Sequence, residues 1–260
     1  MSKVVGIIPA RWGSTRFPGK PLHGIAGKPL VQHVWERCVE ARSFDQVIIA
    51  TEDMRIAEAA FNFGAEVSIT SAEHASGTDR IAEVAGKLKK ASIIFNIQGD
   101  EPMIDPALLR DLVKRVQASD TIEIITAANP ISEEEAQSEH VVKVVFNRHG
   151  DSLYFSRSRI PFPRSSLQAP AYKHLGVYGY RRRALLEFVR LQRSPLEQIE
   201  QLEQLRALEY GMKIRVIVSE TNSIGVDTPE DAKTVERLIL LGHRTRRHQL
   251  DNGPRGRSKG

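Results

Sequence analysis

One cysteine in 260 residues, Cys38, rules out a framework of intrachain disulfides. It lies in a helical apolar pattern, so a buried packing role fits it better than nucleophilic chemistry, and a reducing compartment is its natural setting. No Cys/His cluster with metal-ligand spacing is present, which excludes a structural zinc site. The N-terminus also has no long apolar run. Val4–Ile8 is cut off by Pro9 and Arg11, too short for a signal peptide or a bilayer span. The expectation is a soluble, cytoplasmic protein with no membrane insertion.

Charge of one sign is missing from the body of the chain. The formal +5 equals what residues 242–260 carry alone, six Arg and Lys against Asp251, so the rest is neutral overall. That tail is rich in Arg and Gly and poor in large apolar residues, and it reads as disordered. Nucleic-acid binding is not expected beyond weak contact through the tail.

A hydrophobic content of 41% supports one large domain over residues 1–241. Strand-like runs at Val4–Ile8, Gln46–Ala50, Glu66–Thr70, Ser92–Ile97 and Ile122–Ala128 alternate with helical patterns. The alternation predicts an α/β fold, a mostly parallel sheet flanked by helices. From Val141 to about Tyr180 the texture becomes antiparallel, with VVKVVF, a turn at Asn147–Gly150 and SLYF forming a hairpin. Helical patterns return at Arg182–Arg190, Leu196–Tyr210 and Pro229–Leu241.

The stretch IPARWGSTRFPGKPL after the first strand puts Arg11, Arg16 and Lys20 on one glycine-containing loop. Such a loop suits a triphosphate, with Gly13 and Gly19 letting the backbone approach the oxygens; a basic surface turn is the alternative. Asp100, in QGDEP after the strand at 92–97, would emerge at the carboxyl end of the sheet and could hold Mg²⁺, or it could belong to a simple acidic turn. In GVDTPED, Thr228 or Asp227 could cap the helix starting at Pro229, leaving Asp227 as a second possible metal ligand. On a continuous helix Leu196–Tyr210, Glu203 falls inside the apolar arc and Gln204 lies off it. His174, Gly176, Tyr178 and Tyr180 alternate onto one strand face that could line a polyhydroxylated ligand, although such residues are also commonly structural. Arg157 could anchor a carboxylate or form a surface ion pair.

Taken together, IPARWGSTRFPGKPL, SGTDR at Ser76, NIQGDEPMI at Asn96, VVKVV at Val141, YFSR at Tyr154, HLGVYGYR at His174, SPLEQIEQLEQLR at Ser194 and GVDTPED at Gly225 resemble the 3-deoxy-manno-octulosonate (Kdo) cytidylyltransferases, or CMP-Kdo synthetases. The resemblance covers about Val4–Leu238. It implies a Rossmann-like nucleotidyltransferase fold, a homodimer using segment 141–180, and transfer of CMP from CTP to Kdo for lipopolysaccharide synthesis. It further implies that Arg11, Arg16 and Lys20 hold the CTP phosphates, that Arg80 lies on the nucleotide side, and that Asp100 and Asp227 bind Mg²⁺. Gln98, Arg157, His174, Tyr178, Glu203 and Gln204 match the sugar-acid pocket. The segment between Pro163 and His174 is shorter than is common in that family, and the basic tail is not part of its pattern. Rival readings are a cytidylyltransferase for 8-amino-Kdo or a sialic acid, or a non-catalytic nucleotide- or RNA-binding protein.

Overall fold

The structure is a computed structural model that describes residues 3–13, 17–164, 170–221 and 223–251, with side chains through 241. The N-terminal half alternates as the sequence predicts: β1 (Lys3–Pro9), α1 (Leu30–Ala41), β4 (Gln46–Thr51), α2 (Met54–Asn62), β5 (Glu66–Ile69), α3 (Gly77–Lys87), β6 (Ala91–Asn96) and α4 (Pro106–Gln117). Between β1 and α1 lie a 3₁₀ turn at Lys20–Leu22 and a minimal hairpin, β2 (Gly24–Ile25) with β3 (Lys28–Pro29). Local chemistry starts and stops these helices. Asp53 and Asp105 accept the Arg55 and Ala107 amides at 2.9 and 2.8 Å, Ser76 and Asp79 form a reciprocal capping box on α3, and Gly64 takes a left-handed conformation after α2.

The C-terminal half holds β7 (Ile124–Ile131), α5 (Glu133–Gln137), β8 (Lys143–Phe146), β9 (Ser152–Ser156), β10 (Ala171–Arg181), α6 (Arg182–Phe188), α7 (Pro195–Glu200), α8 (Gln204–Glu209), β11 (Ile214–Val218) and α9 (Pro229–Asp251). The main sheet runs β11-β7-β10-β6-β1-β4-β5, with β8 and β9 attached beside β10. All adjacent pairs on that path are parallel except those of β10, which is antiparallel to both β6 and β7. The antiparallel segment expected at 141–180 is therefore no mere appendage, because its last strand fills the middle of the sheet.

Buried strands alternate their side chains between two cores. Val4 and Ile8 of β1 pack with Phe95, Leu109 and Leu112 on one face, while Val5 and Ile7 join Ile81, Val84, Ile94 and Leu185 on the other. Cys38 is buried in the first core, and burial pushes its thiol pKa up. A third, smaller cluster joins Phe17, Ile25 and Leu30 to Val226, Ala232 and Val235, docking the loop after β1 against the start of α9.

Two helical expectations need correction. The single helix expected at Leu196–Tyr210 is two, α7 and α8, because Gln201 turns left-handed (φ 54°) and lets α8 fold back. Arg206 then forks onto Glu197 at 2.7 and 2.8 Å, both side chains buried. Ile199, which a continuous helix would place on the apolar stripe with Leu196 and Leu202, is 77% exposed. The helix starting at Pro229 continues to Asp251, ten residues into the segment expected to be disordered. Arginine is a good helix former, and no glycine or proline interrupts 243–251. Residues 252–260 lie outside the described residues.

Among the described glycines, Gly179 on β10 has the closest neighbours: a Cβ there would come within 2.6 Å of the Phe95 ring and 2.8 Å of Ile125 Cγ2. Both neighbours belong to flanking central strands and cannot yield cheaply. Gly179→Ala is expected to lower unfolding stability by about 2 kcal/mol or more, read from urea denaturation; an unchanged midpoint would show that the strands separate freely there.

Candidate active site

Parallel strands β1 and β6 end side by side, and the residues beyond them build the site. The Ile97 amide donates to the Ile7 carbonyl at 3.1 Å, carrying the ladder one step past β6. Gly99 then crosses so close to β1 that a Cβ would sit 2.8 Å from the Pro9 carbonyl oxygen. Asp100 follows at the carboxyl edge of the sheet, where open α/β sheets bind ligands.

Three further pieces close around it. The α3 N-terminus abuts the end of β1, with Gly77 against Pro9, and Ser76 and Gly77 line the cleft, so that it opens at a helix end that favours anions. Beyond β1, Gly19 (φ 69°) packs under the Trp12 ring and starts the 3₁₀ turn that presents Lys20. Its glycine is thus required by backbone conformation and by Trp12, whereas nothing lies within 4 Å of a Cβ at Gly13. The segment before α9 is tied in by the Val226 amide donating to the Asp100 carbonyl at 2.8 Å. Thr228 and Asp231 share a reciprocal cap at the start of α9, which leaves the Asp227 carboxylate directed elsewhere.

Arg11, Lys20, Arg80, Gln98, Asp100 and Asp227 thereby line one cleft of about 400 Å³, together with His74, Ser76 and Gly77. The Lys20 ammonium is 2.7 Å from Asp100 Oδ2, 3.3 Å from Asp227 Oδ1 and 2.9 Å from the Val226 carbonyl. A cation already sits where the two carboxylates converge, so the pair fits a positive ion. Among the described residues, no third Asp, Glu, His or Cys joins them. Two carboxylates, with phosphate and water oxygens completing the shell, suit Mg²⁺. Arg80 is only 3% exposed and is committed to Glu52 at 2.7 Å and Thr70 Oγ1 at 2.5 Å, so it shapes the cleft wall as a held charge. Arg16 lies outside the described residues.

Of the residues matched to a sugar-acid pocket, Gln98 lines this cleft and the other five do not. Glu203, which precedes α8, is held from α3 by Ser76 Oγ at 3.0 Å and Thr78 Oγ1 at 2.6 Å, one residue behind the cleft wall. Burial pushes its carboxyl pKa up, against those two hydrogen bonds. Its place therefore comes from partners on α3 and not from an apolar helix arc. Gln204 opens α8, half-buried. Arg157 donates through Nε to the Glu200 carbonyl at 3.0 Å and through Nη1 to the Glu139 carbonyl at 3.2 Å.

His174 and Tyr178 belong to a ladder of rings on β10, with centroids 5.2 Å apart, continuing to Phe155 on one side and Tyr180 on the other. Gly176 sits in an irregularity of the β10–β7 pairing, against Gln98 Cγ, which makes Gln98 the link from the cleft to this strand. Among the described residues, the buried Tyr178 hydroxyl has no hydrogen-bond partner. Such a group awaits a polar ligand or water.

Two features escaped the sequence reading. Lys143 on β8 is fully buried, and its ammonium donates to the carbonyls of Ser138, Val141 and Arg157, fixing the backbone that carries the Arg157 side chain. Glu101, next to Asp100, is half-buried, accepts a hydrogen bond from the Ser223 hydroxyl and has its carboxyl pKa raised, chiefly by desolvation. The VVKVV run was visible, but nothing in it distinguishes a buried lysine from an edge-strand charge.

The family model described as Cytidylyltransferase matches residues 5–214. The chain belongs to the cytidylyltransferase family. Among curated relatives of this cytidylyltransferase, the 3-deoxy-manno-octulosonate cytidylyltransferase of Geobacter metallireducens is 50% identical over 91% of this chain and 98% of its own. The 8-amino-3,8-dideoxy-manno-octulosonate cytidylyltransferase of Shewanella baltica is 46% identical over 90% and 98%. A solved CMP:2-keto-3-deoxy-manno-octonic acid synthetase complexed with CTP superposes with a TM-score of 0.90 at 43% identity, covering 93% of this chain and all of that one.

His174 yields a test independent of turnover. Burial lowers its pKa to about 3 from the usual 6.5, so the folded protein keeps the ring neutral where the unfolded chain takes up a proton. That contribution to stability is present above pH 6.5 and drains as pH falls toward 3. Unfolding stability of the native chain should fall more steeply between pH 7 and 5 than that of His174→Gln; identical slopes would show that the ring titrates normally.

Proposed function

We propose that this cytidylyltransferase acts on CTP and the sugar acid Kdo, releasing pyrophosphate and CMP-Kdo in the cytoplasm for lipopolysaccharide synthesis. The observation that carries the proposal is the cleft itself, with Arg11, Lys20 and the α3 N-terminus on one side and Asp100 beside Asp227 on the other. Its support from relatives is broad, since proteins named for this reaction align with nine-tenths of the chain. Among the described residues, no helix is long and apolar enough to cross a membrane.

The transfer joins the anomeric hydroxyl of Kdo to the α-phosphorus of CTP as the bond to pyrophosphate breaks. Positioning and charge neutralisation carry such a reaction. Arg11 and Lys20 meet the polyphosphate and neutralise the charge that builds on the departing pyrophosphate. Asp100 and Asp227 would hold Mg²⁺, which when bound supplies Lewis-acid neutralisation of phosphate and hydroxyl oxygens. Gln98 reaches from the cleft toward β10, where the unpartnered Tyr178 hydroxyl and His174 suit a polyhydroxylated acid. Arg157 anchors the acid's carboxylate, on a backbone held by Lys143. We propose a homodimer as well, supported by the apolar surface on segment 141–180, where Leu153 is 62% and Phe162 81% exposed.

The test is pyrophosphate release with CTP and Mg²⁺ in the presence of Kdo, 8-amino-Kdo or N-acetylneuraminate. Kdo-dependent release is the expected result. Asp100→Asn and Asp227→Asn should each lower it by ~10²-fold or more, and near-normal rates at saturating Mg²⁺ would refute their role. Arg157→Ala should raise KM for Kdo while leaving that for CTP nearly unchanged; equal effects on both would remove it from the sugar side.

A further inference from the structure

An ammonium group has three hydrogens to donate, and the structure gives Lys20 three acceptors: Asp100 Oδ2, the Val226 carbonyl and Asp227 Oδ1, at 2.7, 2.9 and 3.3 Å. The Lys20 side chain is mostly buried and that of Asp100 only a third exposed, so water weakens this pairing less than on an open surface. Lys20 cannot meet a phosphate without giving up one of these bonds. A divalent cation cannot take the point between Asp100 and Asp227 while the ammonium occupies it.

We propose that Lys20 is an exchangeable counter-ion that blocks the metal position until a nucleotide arrives. The inference rests on the metal-dependent reading above and adds the order in which the cations act. In the nucleotide-free protein, Lys20 neutralises the carboxylate pair and holds it together. An incoming triphosphate offers more negative acceptors on the same side of the cleft, beside Arg11. Lys20 transfers to them, and the exposed carboxylate pair then gains affinity for a divalent ion. Nucleotide and metal therefore favour each other's binding through one lysine, and linkage requires the coupling to run both ways. The swing is short because the backbone of Lys20 stays fixed. Gly19 is locked under Trp12, and Phe17 and Ile25 are packed against Val226 and Val235.

The measurement is Mn²⁺ binding to the full chain without nucleotide, read from the electron paramagnetic resonance signal of free Mn²⁺. Lys20→Met removes the ammonium, and Lys20→Gln removes the charge but keeps a donor toward Asp100, which guards against loss of folding. Both variants should bind Mn²⁺ at least ~10-fold more tightly than the native chain, because a unit positive charge has left the site. Adding Asp100→Asn to Lys20→Gln should abolish the gain. At saturating CTP the difference from the native chain should vanish.

Variants that bind Mn²⁺ no more tightly than the native chain, while Asp100→Asn still weakens binding, would overturn the exchange and leave the metal site standing. Mn²⁺ binding that ignores both aspartates in every variant would overturn the exchange together with the metal reading. A difference that persists at saturating CTP would mean that Lys20 never leaves the carboxylates, and would also overturn it.

Discussion

The contact on which the site depends is the passage of Gly99 over the Pro9 carbonyl. β6 ends opposite Ile7, two residues before β1 does, and only a residue without a Cβ lets its continuation touch Pro9 at the end of β1. That approach puts Asp100 on the β1 side of the cleft, within reach of Lys20 from the loop beyond β1. Gly77 repeats the device one layer away, seating α3 against the same proline. A basic loop, a helix N-terminus and a carboxylate from three distant parts of the sequence are thus fixed by one backbone crossing.

The second constraint is how neighbouring carboxyl groups are kept apart in chemistry. Both are half-buried, but Asp100 is ion-paired to Lys20, while Glu101 beside it accepts from the Ser223 hydroxyl and has its pKa raised by desolvation. One serves the cleft and the other braces the 223–225 segment that delivers Asp227. Glu203 follows the second pattern, held by two hydroxyls of the α3 first turn. Charge reaches the ligand side only where a cation answers it; elsewhere burial and hydrogen bonds restrain it.

The parallel half of the fold was legible because its signals are local. β1, β4, β5 and β6 read as apolar runs, and two of the helices between them, α2 and α3, carry their own side-chain caps. The sequence also reveals Lys20, Asp100 and Asp227, since each follows a strand or precedes a capped helix. The break at Gln201 was not legible, because its cause is a buried Arg206–Glu197 pair and the hold of α3 on Glu203, both tertiary. Nor was the place of β10: alternation marks a strand but does not say between which neighbours it lies. Lys143 was hidden for a related reason, as its three acceptors come from the C-cap of α5, the connection before β8 and the residue after β9.

The position of β10 governs the birth of the protein as well as its final shape. A chain leaving the ribosome completes β6 and β7 long before β10 is made, and the native order gives them no pairing with each other. Both carry exposed backbone edges through the synthesis of some forty further residues, at the slow pace of translation. Insertion of β10 is then a late, long-range event that joins β7 to the parallel strands and, through Gln98 and Gly176, joins the two halves of the site, before β11 completes the sheet. A nascent chain stalled before β10 would present the open edges of β6 and β7 and no finished cleft, so aggregation and loss of the site share one origin in the order of synthesis.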